Sequence, residues 1–490
     1  MSRTNHQAVT PVAETSLGEL AGQIDGGAVV FRGVPYALPP DGERRWCKTL
    51  PPASWRGVRD ATRFAPIPPQ LLELRAARPG VAMSEDCLYL NIWTPAVDDR
   101  RRPVLVYIHG GGLRSGSGSS RTYNGARLAA RGDVVVVTLN YRLGGLANIY
   151  LPELLGAENV NLFLYDQAAA FSWIRREIAA FGGDPQNITA IGHSSGAVAL
   201  ACLSVSPLFC QLFDKMILQS GGLRRINSHD EAQISASRFL NALPATGSAL
   251  RMLPLSAILS AQGAVISNSS TTPPGSDFHP IMGGVSLPMP PINAAERGLS
   301  AAIPLLVGTT MDEWSAYDAP LPPQHFSEEL LQVRTKAYYP DVPSSELLSR
   351  QIQDRLEESG RASDRKSVAS ALLTEAHFRA PSYQFASAHA ATGHRTFHYI
   401  LDWADSGRGS PHGICQRLLF GNYRPDRVAD PTGESASLSQ QVQNAWVSFA
   451  RHGDPSGNAL GHWPTFHPGE ASTMSLGPAA AIIRSPCPLL

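Results

Sequence analysis

Residues 187–205 constrain this chain more than any other stretch. Asn187-Ile-Thr-Ala-Ile191 has the apolar, β-branched character of a strand, Gly192-His-Ser-Ser-Gly196 follows it, and Ala197-Val-Ala-Leu-Ala-Cys-Leu203 then reads as a helix. A strand that must become a helix within five residues leaves its central residue, Ser194, on a sharp and exposed corner. Glycines two positions away on either side let neighbouring backbone pack against that corner. In a chain with 43 glycines the pentapeptide alone is a weak signal, so the partners of Ser194 have to be found elsewhere.

Upstream, Pro103-Val-Leu-Val-Tyr-Ile108 is an apolar strand running directly into His109-Gly110-Gly111-Gly112. Glycine in such a loop lets main-chain N–H groups approach a substrate with no Cβ in the way, as stabilisation of a developing oxyanion requires. A serine on a strand–turn–helix corner, preceded by an HGGG loop, is the nucleophile-elbow arrangement of the α/β-hydrolase fold. On this reading the oxyanion donors are the backbone N–H groups of Gly111, Gly112 and Ser195. A merely flexible loop is the competing reading, and Ser115-Gly-Ser-Gly-Ser-Ser120 favours it locally.

Strand and helix patterns alternate through the first half, which predicts a mostly parallel central sheet flanked by helices. Strands are expected near 104–108, 134–139, 187–191 and 302–307, and helices near 165–180 and 196–205. The chain has 490 residues, 43% of them hydrophobic, no repeat and only short low-complexity stretches. These features predict one α/β domain over 1–490, with insertions at about 222–300 and 320–390. Within the second insertion, 326–334 and 345–352 carry the pattern of amphipathic helices. Formal charge sums to zero, so neither nucleic acid nor an anionic membrane is indicated as a partner. No 18-residue apolar run marks a membrane span. His-Glu-x-x-His, Cys-x-x-Cys and P-loop motifs are absent, and no metal or cofactor is expected. Nothing in the sequence sets an oligomeric state.

Further blocks follow in a fixed order: Phe31-Arg-Gly-Val-Pro-Tyr-Ala-Leu-Pro-Pro40, Ser84-Glu-Asp-Cys-Leu-Tyr-Leu-Asn91, Asn140-Tyr-Arg142, Asp166-Gln167, Trp173 and Phe181-Gly-Gly-Asp-Pro185. Trp446-Val-Ser-Phe-Ala450, Gly453-Asp-Pro455 and Trp463-Pro464 close the series. Together they resemble the type-B carboxylesterases, which include the cholinesterases, along nearly the whole chain. The resemblance implies a serine esterase acting on a small-molecule ester through an acyl-enzyme, with its triad in the chain order Ser, acid, His. It assigns the acid to Glu313, at the end of Ala302-Ile-Pro-Leu-Leu-Val-Gly-Thr-Thr-Met-Asp-Glu313. Asp312 is the local competitor, with a reading as a turn or salt-bridge residue. It assigns the base to His412, in Pro411-His-Gly413, at the family spacing before Leu419-Phe-Gly421. Among the other histidines, His109, His193 and His398 lack that combination. A carbamate or amide hydrolase with the same triad stays open. A non-catalytic binding relative is disfavoured, because Ser194, Glu313, His412 and the glycine loop are all present.

Departures from the family pattern cluster near the chemistry. His193 stands where Glu is usual, Leu113 where Phe follows the glycines, Trp314 where Gly follows the acid, and Ile414-Cys415 where an acidic pair follows His-Gly. Leu113, His193, Trp314, Leu419 and Phe420 are therefore expected on the pocket wall, making it more apolar than usual and suited to a bulky aromatic or branched ester or an aryl carbamate. Six cysteines occur, at 47, 87, 202, 210, 415 and 487. Secreted members commonly bridge the Cys of the Glu-Asp-Cys-Leu segment to one some twenty residues upstream, where this chain has Pro68, so Cys87 is expected to be a reduced thiol. The N-terminus shows no secretory pattern, and the combined reading is cytoplasmic. The sequons at Asn187 and Asn268 are then expected to stay unmodified.

Overall fold

The computed structural model describes residues 10–71, 80–156, 159–223, 225–245, 247–267, 276–318, 326–339, 344–403, 409–422, 433–457, 460–477 and 479–484. Eleven of the described strands form the main sheet: β1 (Gln23–Asp25), β2 (Ala28–Pro35), β3 (Tyr89–Thr94), β4 (Arg102–Ile108), β5 (Val135–Leu139), β6 (Gly183–His193), β7 (Lys215–Gln219), β8 (Leu305–Thr310), β9 (Thr396–Leu401), β10 (Ser472–Leu476) and β11 (Ala481–Arg484). They lie in the order β11-β10-β9-β8-β7-β6-β4-β5-β3-β2-β1. Strands from β10 across to β5 run parallel, and the strands at both margins pair antiparallel. The central parallel sheet matches the expectation from strand–helix alternation.

Burial on both faces explains the composition of the central strands. Every residue of β4 and of β5 is buried, which is why Pro103-Val-Leu-Val-Tyr-Ile108 is apolar throughout rather than alternating. Val104, Val106, Ile108, Val135 and Val137 enter one core, shared with α1 (Leu162–Glu177) and α2 (Ser195–Val205). Leu105, Tyr107 and Val136 enter the other. Helices α3 (Glu328–Tyr338), α4 (Ser345–Glu358), α5 (Arg365–Thr374) and α6 (Ala380–Ala391) follow β8, and α7 (Ile414–Phe420) and α8 (Glu434–His452) pack against the second core.

β6 is longer than expected, running 183–193 rather than 187–191, and β8 and α1 differ from the sequence expectation for visible reasons. β8 runs 305–310 rather than 302–307, because Pro304 lacks an N–H for the ladder and the strand starts beside it. α1 begins earlier, after Asn161 in the left-handed region, and gives way to a 3-10 turn at Ile178–Phe181. The helices α3, α4 and α5 start where side chains satisfy free N–H groups. Ser327 accepts from Leu330 N, Ser344 from Leu347 N, and Asp364 from Lys366 N and Ser367 N. These helices bury a core of their own around Leu331, Leu348, Ile352, Val368 and Leu372. Between α5 and α6 the chain makes a π-helical turn, Glu375–Arg379.

The sequence blocks outside the elbow are largely structural. Arg142 and Asp166 form a buried, bidentate ion pair, with Nη2–Oδ1 at 2.6 Å and Nε–Oδ2 at 2.9 Å. Glu85 binds Arg45, whose Nη1 also donates to Arg251 O and Leu253 O. Cys47, Cys87, Cys202, Cys210 and Cys415 are free thiols; Cys87 is fully buried, and burial pushes its thiol well above the ordinary range. Asn187 lies within β6, where its Oδ1 accepts from Lys215 Nζ at 2.6 Å. Cys487 and Asn268 lie outside the described residues. Among the described residues, no helix is long and apolar enough to cross a membrane.

Candidate active site

β6 ends at His193 and α2 begins at Ser195, so Ser194 is the joint, with φ 55° and ψ −126°. A non-glycine residue in so sparsely populated a region costs on the order of 1–3 kcal/mol and persists only where its surroundings enforce it. Here they do. A Cβ on Gly192 would lie 2.5 Å from Gly196 O, and one on Gly196 would lie 2.3 Å from Ile108 O, so only glycine lets the strands and helix close around the corner. Ser194 N–H donates to Gln219 O at 2.9 Å. All of α2 is buried, an apolar helix held on every side, and its positive end points at the serine.

The glycine loop after β4 lies against this corner. Leu113 N–H donates to Ser195 Oγ at 3.1 Å, which occupies that hydroxyl and leaves the half-buried Ser194 as the exposed one of the pair. Gly111 O accepts from the N–H groups of Arg114 and Ser115, curling the loop back on itself. Among the described residues, no hydrogen bond uses the N–H of Gly111 or of Gly112, so both donors stand available to a ligand.

Glu313 follows β8 and is completely buried, with one carboxylate oxygen 2.6 Å from His412 Nδ1. Its other oxygen accepts from Thr310 N–H at 2.7 Å. The competitor Asp312 has a different task. Its Oδ2 accepts from Ser410 N–H at 2.9 Å, it pairs with Arg361, and its own N–H donates to Ser410 O. Asp312 thus holds the loop that carries His412, and Glu313 meets the imidazole itself.

Rings enclose that imidazole: His193 at 4.7 Å between centroids, Phe378 at 4.9 Å and Tyr317 at 5.6 Å. Phe378 comes from the π-helical turn, an irregularity that is frequent at functional sites. In the same turn, His377 stacks on Trp314 at 4.8 Å. Burial, and then the neighbouring His412, holds His193 well below the usual imidazole range, so it is neutral.

Ser194 and His412 line one cavity of about 540 Å³, together with Gly110, Gly111, Gly112, His193, Trp314 and Tyr317. A smaller recess beside it touches Ser194, Ser195, Leu113 and Phe378. Of the five wall residues expected from sequence, Leu113, His193 and Trp314 are therefore at the site. Leu419 and Phe420 are not among the described lining residues. They are buried in the second core on α7, where Phe420 packs on Tyr107 at 5.0 Å. Arg114, Arg225 and Arg334 line the same cavity beside these side chains. These arginines, with Tyr317 and Phe378, escape a reading by motif, since they come from separate segments with no fixed spacing to the serine.

The chain matches the model of the Carboxylesterase family over residues 9–485. It is 34% identical to the para-nitrobenzyl esterase of Bacillus subtilis (strain 168), over 98% of this chain and 97% of that protein. It is 31% identical to the phenmedipham hydrolase of Pseudarthrobacter oxydans, over 96% of each. A crystal structure of a Geobacillus stearothermophilus carboxylesterase is similar with a TM-score of 0.86 and 32% identity, over 97% of this chain and 98% of that one.

Proposed function

The chain belongs to the carboxylesterase family, and from that membership we propose that it hydrolyses carboxylic esters through Ser194 as nucleophile, His412 as general base and Glu313 as the orienting acid. The observation that carries the reading is the 2.6 Å pairing of Glu313 with His412 Nδ1, in the cavity that also holds the strained Ser194. With Nδ1–H donated to Glu313, the Nε2 lone pair is free to take the Ser194 proton as the hydroxyl attacks the ester carbonyl. Gly111, Gly112 and Ser195 donate backbone N–H groups to the tetrahedral oxyanion, each contributing about 3 kcal/mol of barrier lowering. His412 then protonates the leaving alcohol, and water attacks the acyl-enzyme by the same route in reverse. The insertions at about 222–300 and 320–390 are read as cap segments, supported by Arg225, Phe378 and Arg334 reaching the cavity from them. A reducing, cytoplasmic setting belongs to the same proposal, supported by the free thiols and tested by alkylation of the protein as isolated.

The deciding experiment is p-nitrophenyl ester hydrolysis by wild type, Ser194→Ala and Ser195→Ala. Ser194→Ala is expected to lower kcat by roughly 10⁶ and to abolish stoichiometric labelling by an organophosphate. Ser195→Ala keeps its backbone donor and loses only the bond from Leu113 N–H, so a loss within about tenfold is expected. The reverse order of effects would refute the assignment.

A further inference from the structure

The chain as a whole carries no net charge, yet its active-site cavity is strongly one-signed. Arg114, Arg225 and Arg334 line it beside Ser194 and His412, and no aspartate or glutamate is among the lining residues described. Arg225 also borders the recess formed by Ser194, Leu113 and His279, so one guanidinium spans both spaces next to the nucleophile. It lies 5.7 Å from the Phe378 ring centre, a face that holds a planar cation. The Nε of Arg114 is buried with no hydrogen-bond partner among the described residues.

No carboxylate stands among the described lining residues beside Arg114 or Arg334, and the acids near these two are shared with other cations. Asp277 acts on Arg114 from outside the lining and already faces Arg238 at 3.9 Å. Asp318 lies behind the wall and is shared by Arg334 and Lys366. Glu313 is committed to His412. Arg225 and Arg114 both act on the buried His279, helping to hold it neutral, so the two cations converge on one region. A low-dielectric cleft lined by one sign of charge concentrates ligands of the other sign, and guanidinium groups bind carboxylates in a forked, geometrically specific way.

We infer that the preferred substrates are esters carrying a second, free carboxylate, such as monoesters of dicarboxylic acids, with the arginine cluster holding the anion while Ser194 attacks the ester. The inference rests on the esterase reading. The net reaction is that of any ester: water supplies hydroxide to the acyl carbon and a proton to the leaving alcohol. The anion is a binding handle and undergoes no chemistry.

Two matched pairs test it and separate the acyl side from the alcohol side: p-nitrophenyl monoglutarate against p-nitrophenyl valerate, and 4-acetoxybenzoate against phenyl acetate. In wild type at low ionic strength, the anionic member of at least one pair is expected to exceed its neutral partner about tenfold or more in kcat/KM, mainly through KM. That excess should shrink in 0.5 M salt. Arg114→Gln and Arg334→Gln should each lower the anionic-to-neutral ratio about tenfold. Wild type needs no variant to fold, so its ratio alone is decisive. Turnover of the neutral esters with no excess for either anion overturns the inference and leaves the esterase reading intact. If no ester is turned over, the esterase reading fails instead. Titration calorimetry with glutarate against the neutral glutaramide then decides the arginine cluster alone, and equal binding of the two overturns it.

Discussion

Glu313→Gln is the most informative single change, because the surroundings fix how the new amide must sit. One oxygen of Glu313 accepts from Thr310 N–H at 2.7 Å, and the other faces His412 Nδ1 at 2.6 Å. In the glutamine variant the amide oxygen stays on Thr310 N–H, since turning the NH₂ there would set donor against donor in a site with no exposure. The NH₂ must then face His412, which has to present a lone pair at Nδ1 and carry its proton on Nε2. That is the tautomer that cannot accept a proton from Ser194. The corresponding loss in a serine protease is about 10⁴ in kcat, or roughly 5 kcal/mol of barrier, with little change in fold because shape and hydrogen-bond count are kept. Asp312→Asn is the control. It weakens the ties to Ser410 and Arg361 but leaves the His412 tautomer intact, so about 1 kcal/mol of stability and less than a tenfold loss of rate are expected. Steady-state kinetics on a p-nitrophenyl ester, with thermal melts of all three proteins, measures both. A larger loss of kcat in Asp312→Asn than in Glu313→Gln, with both variants folded, would mean that the acid has been misassigned.

Gly196→Ala should be far more damaging than its size suggests, because the added methyl would sit 2.3 Å from Ile108 O; a soluble variant with a wild-type melting temperature and activity would contradict the packing described. Acid stability follows from buried histidines. Burial holds His109 and His389 down to about 4 and His398 to about 3, below the ordinary ~6.5 they recover on unfolding. As pH falls below that value the unfolded chain takes up protons that the folded chain refuses. Stability is therefore full above about pH 6.5 and lost on the way down to about 4, at roughly 4 kcal/mol per pH unit for the three together. Calorimetry across pH 4.5–7.5 reads this directly, and a flat Tm across the range would rule it out.

The corner at Ser194 and the glycine loop of the proposed site were legible in the sequence because they depend on short-range constraints. Ser194 needs its two glycines, and the oxyanion loop needs its three, within stretches where spacing alone fixes geometry. Placing Glu313 and His412 needed the resemblance, since they lie 99 positions apart and are brought together by tertiary contacts, the parallel pairing of β8 with β9 and the Asp312–Ser410 bonds. The cavity wall was less legible. Ile414 and Cys415 are apolar as read, but on α7 they face the second core, while Gln416 reaches the cavity and donates no hint by spacing. Helix register decided which residues of that segment met substrate space, and distance in sequence from His412 does not encode register. The arginine cluster was invisible for a related reason: its members share a cavity and share no pattern.

The interval between Ser194 and His412 has a consequence for biosynthesis. The nucleophile's strand, its helix and the glycine loop are all made early, whereas the base arrives on a loop that follows β9 and waits on its pairing with β8. A ribosome-bound chain therefore carries a shaped corner with no proton acceptor through much of its elongation. On the proposed triad, ester hydrolysis begins only once that loop has closed beside β8, so the onset of activity reports that step of folding.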